Sequence, residues 1–312
     1  MALRSDGYQS DNIPIGSSPT ATQNAVAGRV FPQVALAWRY PWARRGESYD
    51  QVIEPMVMLA AAPNGGNPGT IPNEDSQGFE FDETSLFLRN RFPGLDRVES
   101  GQRVDYGLRG GVYGDGGGST RFVVGQSYSA QVNNNYLPGS GLEHHVSDVV
   151  GRVTVSPVAA LDFTYRFRLG NDDLALRRQE IAATVGPSNL RLGVNYIQIA
   201  PISNIPDLQK RKQLSASLNA ALTRYWSIQL LGTRDFARTT PTVASVGTTE
   251  TLTSGAQLIY RDECVSFITS LTQSGIRNGD VVPGTSLLFT IVFKNLGDIA
   301  TKVADFGNIG GL

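Results

Sequence analysis

Few side chains in this 312-residue sequence belong to types that do covalent chemistry, and their spacing points away from an active site. There are two histidines, His144 and His145, adjacent in a polar stretch. A Ser–His–Asp hydrolase needs its histidine held on a wall beside the serine, which a pair of loop histidines does not provide. The single cysteine, Cys264, can form no internal disulfide. Gly114 to Gly118 is glycine-rich but lacks the Lys-Ser/Thr that completes a phosphate loop, so it reads as a turn. The acidic residues Glu74, Asp75, Asp82, Asp96 and Glu99 gather in one segment and offer oxygen ligands, without the spacing of a calcium loop. No catalytic, cofactor or metal constellation emerges, and the chain reads as a non-enzyme. The remaining charged set is Arg103, Arg109, Arg152, Arg166 and Arg168 with Asp105 and Asp162. These share polar strand faces. They suit either a wall that guides anionic groups or the mixed charges of any wet wall, and the interleaving of acids with bases favours the second.

The elements that must carry these residues follow from alternation. In Leu161 to Leu169, the residues Leu161, Phe163, Tyr165, Phe167 and Leu169 fall on one face and Asp162, Thr164, Arg166 and Arg168 on the other. The same pattern recurs over residues 102–113, 209–222 and 284–294, and about fourteen strands can be placed in all. Connections from residue 114 onward are alternately short and long, with Gly170 to Asp173 the exception. This is the habit of outer-membrane barrels, which have short periplasmic turns and long outer loops. It puts residues 261–263 in the periplasm and 274–283 outside. Only 18% of residues are charged, against about 25% in ordinary soluble domains. A net charge of -1 gives no case for nucleic acid, and no apolar run reaches the roughly 18 residues of a transmembrane helix. A soluble sandwich or propeller also alternates, but no repeat of about 40–50 residues is present. The expected fold is all-β, an antiparallel transmembrane β-barrel. The segment from Met1 to Gly7 has no apolar region of a signal peptide, so the chain is expected to be the C-terminal part of a longer one.

Between the third and fourth of these strands lies an insertion, residues 62–101. It holds Asn73-Glu74-Asp75-Ser76, then Phe79-Glu80-Phe81-Asp82-Glu83-Thr84-Ser85-Leu86-Phe87, Asn90-Arg91-Phe92 and Gly94-Leu95-Asp96-Arg97-Val98-Glu99. Asp82 is placed to cap a short helix over residues 83–88, with Phe81 as its hydrophobic staple. The segment is too aromatic for a floppy linker and is expected to be an ordered loop that blocks the lumen. These elements, in this order, closely resemble the LPS-assembly protein LptD family, also called OstA or Imp. Phe31-Pro32-Gln33-Val34, Trp38-Arg39-Tyr40-Pro41 and Pro283-Gly284-Thr285-Ser286 resemble it too.

The resemblance implies an outer-membrane translocon of Gram-negative bacteria that moves lipopolysaccharide to the outer leaflet. Its full barrel has about twenty-six strands, of which this chain would be the C-terminal half, residues 1–312 forming a barrel segment without the family's periplasmic jellyroll. Implied partners are lipopolysaccharide, a plug lipoprotein of the LptE type and a periplasmic bridge protein of the LptA type. The family carries adjacent cysteines near the strand of Cys264 that bridge to the N-terminal domain. One of the pair matches here, which implies an interdomain disulfide. The family's barrel opens sideways at its last strand, which would make 284–294, with Leu287, Phe289, Ile291 and Phe293, the seam strand. The alternative function is a passive porin-like diffusion channel, which has no reason to carry the 62–101 block.

Overall fold

The structure, a computed structural model, describes residues 1–14, 22–76, 80–200, 211–236, 250–275, 283–294 and 297–307. Its elements are β1 (Ala2–Pro14), β2 (Thr22–Arg39), β3 (Trp42–Arg45), β4 (Tyr49–Ala62), β5 (Gly101–Gly114), β6 (Ser119–Ser129), β7 (Val149–Val158) and β8 (Leu161–Leu169). They continue with β9 (Leu176–Val185), β10 (Leu190–Ile199), β11 (Arg211–Ala221), β12 (Trp226–Asp235), β13 (Glu250–Arg261), β14 (Val265–Ser274), β15 (Gly284–Phe293) and β16 (Gly297–Gly307). Every pairing is antiparallel, and each strand lies beside its neighbours in sequence, with β3 alongside β4. The result is one meandering sheet with β1 and β16 at its edges, unpaired with each other among the described residues.

Two strands exceed the sequence expectation. β3 continues β2 in register along β4, with Arg39 opposite Met56 and Trp42 opposite Ile53. Pro41, which has no amide hydrogen to give to the ladder, marks the break. β16 is the second addition, and it corrects the seam assignment. The strand of Leu287, Phe289, Ile291 and Phe293 is not the last one, because β15 pairs with β14 on one side and β16 on the other. The sequence from Gly297 to Gly307 mixes Asp, Thr and Lys into its apolar positions, so period-two alternation does not reveal it.

Connections at one edge of the sheet are short, at residues 115–118, 159–160, 186–189, 222–225 and 262–264. The opposite edge carries residues 63–100, 130–148 and 170–175, while the expected long connections at 201–208 and 237–249, and residues 276–282 of that at 274–283, lie outside the described residues. An aromatic cluster runs from mid-sheet, where Tyr40 lies 6.4 Å from Trp38 and 5.6 Å from Trp42, and at the short-turn edge Trp226 lies 5.1 Å from Tyr260. This is where amphipathic rings settle at a membrane–water boundary.

The polarity of the two faces is inverted relative to a water-soluble protein. Leu161 and Phe163 are 36% and 38% exposed, and Leu192, Val194, Leu230, Leu258 and Leu271 on later strands are exposed in the same way. On the other face, Arg168 is 1% exposed and Asp105 not at all. The apolar core is small and sits on that polar face. Phe81, Leu86 and Phe92 of the β4–β5 loop pack with Tyr136 and Leu142 of the β6–β7 loop and Val150 of β7.

Candidate functional site

The β4–β5 loop is the organising element, and its sequence explains how it holds a shape without regular structure. Two aspartates clasp each other's segments. Asp75 accepts from the backbone amides of Leu95 (2.6 Å) and Asp96 (3.0 Å), and Asp96 accepts from those of Glu74 (2.8 Å) and Asp75 (3.2 Å). The Leu95 amide foremost draws the Asp75 carboxyl down to about 2. Gly94 completes the clasp, since a Cβ there would collide with the Asp75 carboxyl. These oxygens are thus occupied by amides, the reverse of a calcium-ready cluster. Within the first segment Asn73 accepts from the Ser76 amide. Asn90 accepts from the Glu99 amide at 2.9 Å, and Arg97 donates to the carbonyl of Ile71 at 3.0 Å. Arg29 of β2, paired with Asp6 of β1 at 2.6 Å, donates to the carbonyls of Gly66, Leu95 and Asp96.

Behind the clasp lies a dry ionic quartet. Arg91 and Glu99 pair through both guanidinium and carboxylate forks, Arg103 Nη1 reaches Glu99 at 2.9 Å, and Arg103 Nε reaches Asp105 at 3.1 Å. Burial alone would raise the Glu99 carboxyl, but Arg91 and Arg103 outweigh it and hold it below its usual range. Two positive and two negative charges balance. That balance is what lets them sit out of water, because an uncompensated buried charge is prohibitive.

The loop's tip seats on a flat patch of wall. Gly107 and Gly125 face each other across β5 and β6. A Cβ on Gly125 would collide with Leu86, and one on Gly107 would lie 3.3 Å from Phe87. Asp82 does cap the segment, accepting from the amides of Thr84 (2.9 Å) and Ser85 (3.0 Å). The expected helix over 83–88 is only a single turn, closed by the Leu88 amide on the Ser85 carbonyl. Phe81 serves the loop core rather than a helix staple: it is fully buried, and its amide donates to the Ser140 carbonyl.

Beside this tip the wall carries arginines directly opposite arginines. Arg152 of β7 faces Arg166 of β8, and Arg168 of β8 faces Arg178 of β9. Like charges in that relation destabilise a sheet. Each pair is bridged by one loop carboxylate. Glu83 Oε1 lies 3.6 Å from Arg152 and 3.3 Å from Arg166, and Glu80 lies 3.4 Å from Arg168 and 3.0 Å from Arg178. Asp148 and Glu180 add further contacts to Arg168 and Arg178. Burial pushes the Glu83 carboxyl above its ordinary value. Toward the short-turn edge the wall and loop leave a cavity of about 720 Å³, into which Glu83, Arg109, Arg121 and Arg152 open.

The four arginines expected on the inner wall thus divide. Arg103 and Arg168 are sealed under the loop. Arg109, on Glu54 at 2.6 Å, lines the cavity, and Arg166 beside it is part-exposed. Phe79 lies outside the described residues. Cys264 is exposed in the β13–β14 turn, where its amide donates to Asp262. Phe289 stacks on Phe267 at 5.8 Å on the outer face, which Leu287, Ile291 and Phe293 share. His145 Nδ1 donates to the Ser129 carbonyl (2.8 Å) and fastens its loop to β6. Sequence reasoning missed Glu80, Glu83, Arg178 and the contribution of Tyr136 and Leu142. An acid pair spaced by three on a loop, opposite Arg-x-Arg on a strand, was the available signal.

The family model described as "LptD: LPS transport system D" matches residues 1–226. LPS-assembly protein LptD of Pseudomonas syringae pv. tomato is 30% identical over 123 residues, 39% of this chain and 13% of that protein. The Escherichia coli O1:K1 protein of the same name is 31% identical over 113 residues, 35% of this chain and 14% of that protein. The one from Polaromonas sp. is 23% identical over 199 residues, 62% of this chain and 23% of that protein. The matched stretches therefore cover less than a quarter of each relative.

Proposed function

The chain belongs to the LptD family, and from that premise we propose that it forms part of the wall of an outer-membrane β-barrel that carries lipopolysaccharide to the outer leaflet in a Gram-negative bacterium. The carrying observation is the inverted polarity. A continuous apolar face turns outward, and a charged inner face is covered by an ordered loop. Lipid suits the first, and a sugar–phosphate cargo or the loop's own charges suit the second. The meander of neighbouring antiparallel strands, the edge of short turns and the aromatic belt support a closed barrel in the membrane. Within it the β4–β5 loop, with the β6–β7 loop against it, acts as a stopper on the inner wall. No covalent step is required of the chain. The expected partners are a lipoprotein of the LptE type on the inner face and a periplasmic protein of the LptA type at the short-turn edge. There Cys264, which is exposed, would form an interdomain disulfide with a cysteine of the family's N-terminal domain.

The test is photocrosslinking in cells with a photoreactive residue at Thr164, on the inner face, or at Phe163, on the outer face. Transport predicts a lipopolysaccharide adduct from position 164. Adducts from neither position would overturn it. A porin-like channel would instead pass small sugars into liposomes and give no adduct.

A further inference from the structure

We propose that Arg121, Arg152 and Arg166 form a binding site for a phosphate group carried on a sugar, with loop residue Glu83 holding its inner edge until that anion arrives. The proposal rests on the transport reading and adds to it a defined anion subsite with a competing side chain.

Three observations carry it. First, the charges at the cavity do not balance. Glu54 is taken by Arg109 at 2.6 Å, and Glu83 is shared between Arg152 and Arg166, the latter also lying 3.7 Å from Glu180. Arg121 makes no ion pair with any described residue, and it lines the same cavity two strand positions from the Arg152 level. Second, Glu83 fits its two guanidiniums poorly. Its Oε1 is within ion-pair reach of both, yet neither that oxygen nor Arg166 Nε has a hydrogen bond. One carboxylate oxygen cannot satisfy two planar forks. A phosphate, with about -1.5 to -2 charges and three acceptor oxygens, can satisfy both. Third, access is one-sided. Glu83's side chain is only 3% exposed, whereas those of Arg152 and Arg166 are 40% and 34% exposed. An anion in the cavity therefore meets Arg121 and Arg152, which line it, with part-exposed Arg166 directly opposite Arg152 and the nearly buried Glu83 at the inner edge. Thr154 and Thr164, whose hydroxyls lie 3.3 Å apart, line the same space and suit the hydroxyls of a sugar. An arriving phosphate draws both guanidiniums off Glu83 and loosens the loop's tip.

The experiment uses the purified chain in non-ionic detergent micelles. Thermophoresis reads its affinity for lipopolysaccharide, for the same material stripped of phosphate, and for lipopolysaccharide with inorganic phosphate as competitor. Arg152→Ala with Arg166→Ala should weaken binding of the phosphorylated form about tenfold and leave the stripped form unchanged. Arg152→Lys with Arg166→Lys should recover part of that loss. Glu83→Gln should tighten binding severalfold. Hydrogen exchange in residues 80–88 should quicken on binding, whereas strands β10 to β12 should stay unchanged, which reports folding in every variant. Equal affinity for stripped and intact lipopolysaccharide, or no response to the double alanine variant, would overturn the site and leave transport standing. If the wild-type chain binds no lipopolysaccharide, yet inorganic phosphate alone quickens exchange at 80–88 through Arg152, the transport reading fails and an anion site remains. If inorganic phosphate without a sugar reproduces the full effect at equal concentration, the sugar part is wrong.

Discussion

Replacing Glu99 by Gln is the sharpest test of how the inner loop is held. The carboxylate receives both forks of Arg91, the Arg91 backbone amide at 3.2 Å and Arg103 at 2.9 Å. Gln keeps the volume but turns one acceptor into a donor facing guanidinium donors. It also leaves Arg91 and Arg103, both nearly excluded from water, with Asp105 as their sole remaining carboxylate. Breaking a buried pair from one side costs about 3–5 kcal/mol. Since 1.4 kcal/mol is a factor of ten, opening of the loop should become roughly 10² to several thousand times more frequent. Hydrogen exchange followed by mass spectrometry reads this over residues 80–100, with β10 to β12 as the internal standard, since their contacts are remote. Replacing Arg91 and Glu99 together by Leu should be milder than Glu99→Gln alone, because it leaves Arg103 and Asp105 as a matched pair. Exchange in Glu99→Gln equal to wild type would refute the claim that this quartet anchors the loop.

Deleting residues 70–100 should unblock the inner face and raise permeability to large antibiotics in cells; unchanged permeability with normal barrel assembly would count against the stopper role. Gly125→Ala would press Leu86 and place its Cβ 2.6 Å from the Tyr106 carbonyl oxygen. Urea unfolding should show a loss of about 1–3 kcal/mol. By contrast Gly232→Ala, where nothing lies within 4 Å, should shift stability by no more than about 0.5 kcal/mol. The Asp75 carboxyl is held at about 2, below its ordinary 3.8. Its contribution to loop docking is therefore full above pH 3.8 and lost as pH falls through about 2. Exchange at residues 94–97, corrected for intrinsic rates, should rise across that window in wild type, and Asp75→Asn should abolish the step.

Much of the sheet was legible because a half-buried strand announces itself by period two. The run from Leu161 to Leu169 is the clearest case, and its register sets Leu161, Phe163 and Tyr165 opposite apolar residues of both β7 and β9. β2 was harder to read. Over residues 25–31 its inner face is Ala25, Ala27, Arg29 and Phe31, while Gly28 and Val26 share the outer face, so the hydropathy contrast is weak. The loop's motifs stood out as a resemblance but not as a structure. Asp75 and Asp96 lie about twenty positions apart, and Glu80 and Arg178 are separated by 98 residues. No local propensity encodes such pairs. The Asp82 cap was local and was found; the helix after it was overridden by tertiary packing, which draws Phe81 and Leu86 into one cluster from either end of a single turn.

The two ends of the loop are fastened by different physics, and the difference bears on transport. The 91–99 end is held by a dry, charge-balanced quartet and an amide clasp, which are costly to break because each partner would be stranded away from water. The 80–88 end is held by Glu80 and Glu83 at separations of 3.0–3.6 Å from arginines, of which Arg152 and Arg166 are part-exposed and Arg168 is buried, and by Phe81 and Leu86 in the apolar core over a glycine patch. Releasing the Glu83 contact alone parts it from the half-open Arg152 and Arg166, where ion pairs contribute little, and leaves Phe81 and Leu86 in the core. An inner wall built from an oily core could not open without a large hydrophobic penalty. One built from Arg–Arg pairs spanned by removable carboxylates can exchange its own anions for those of a cargo. In the proposed translocon wall, the same inversion of polarity leaves the loop displaceable at its Glu83 contact and tethered at its 91–99 end.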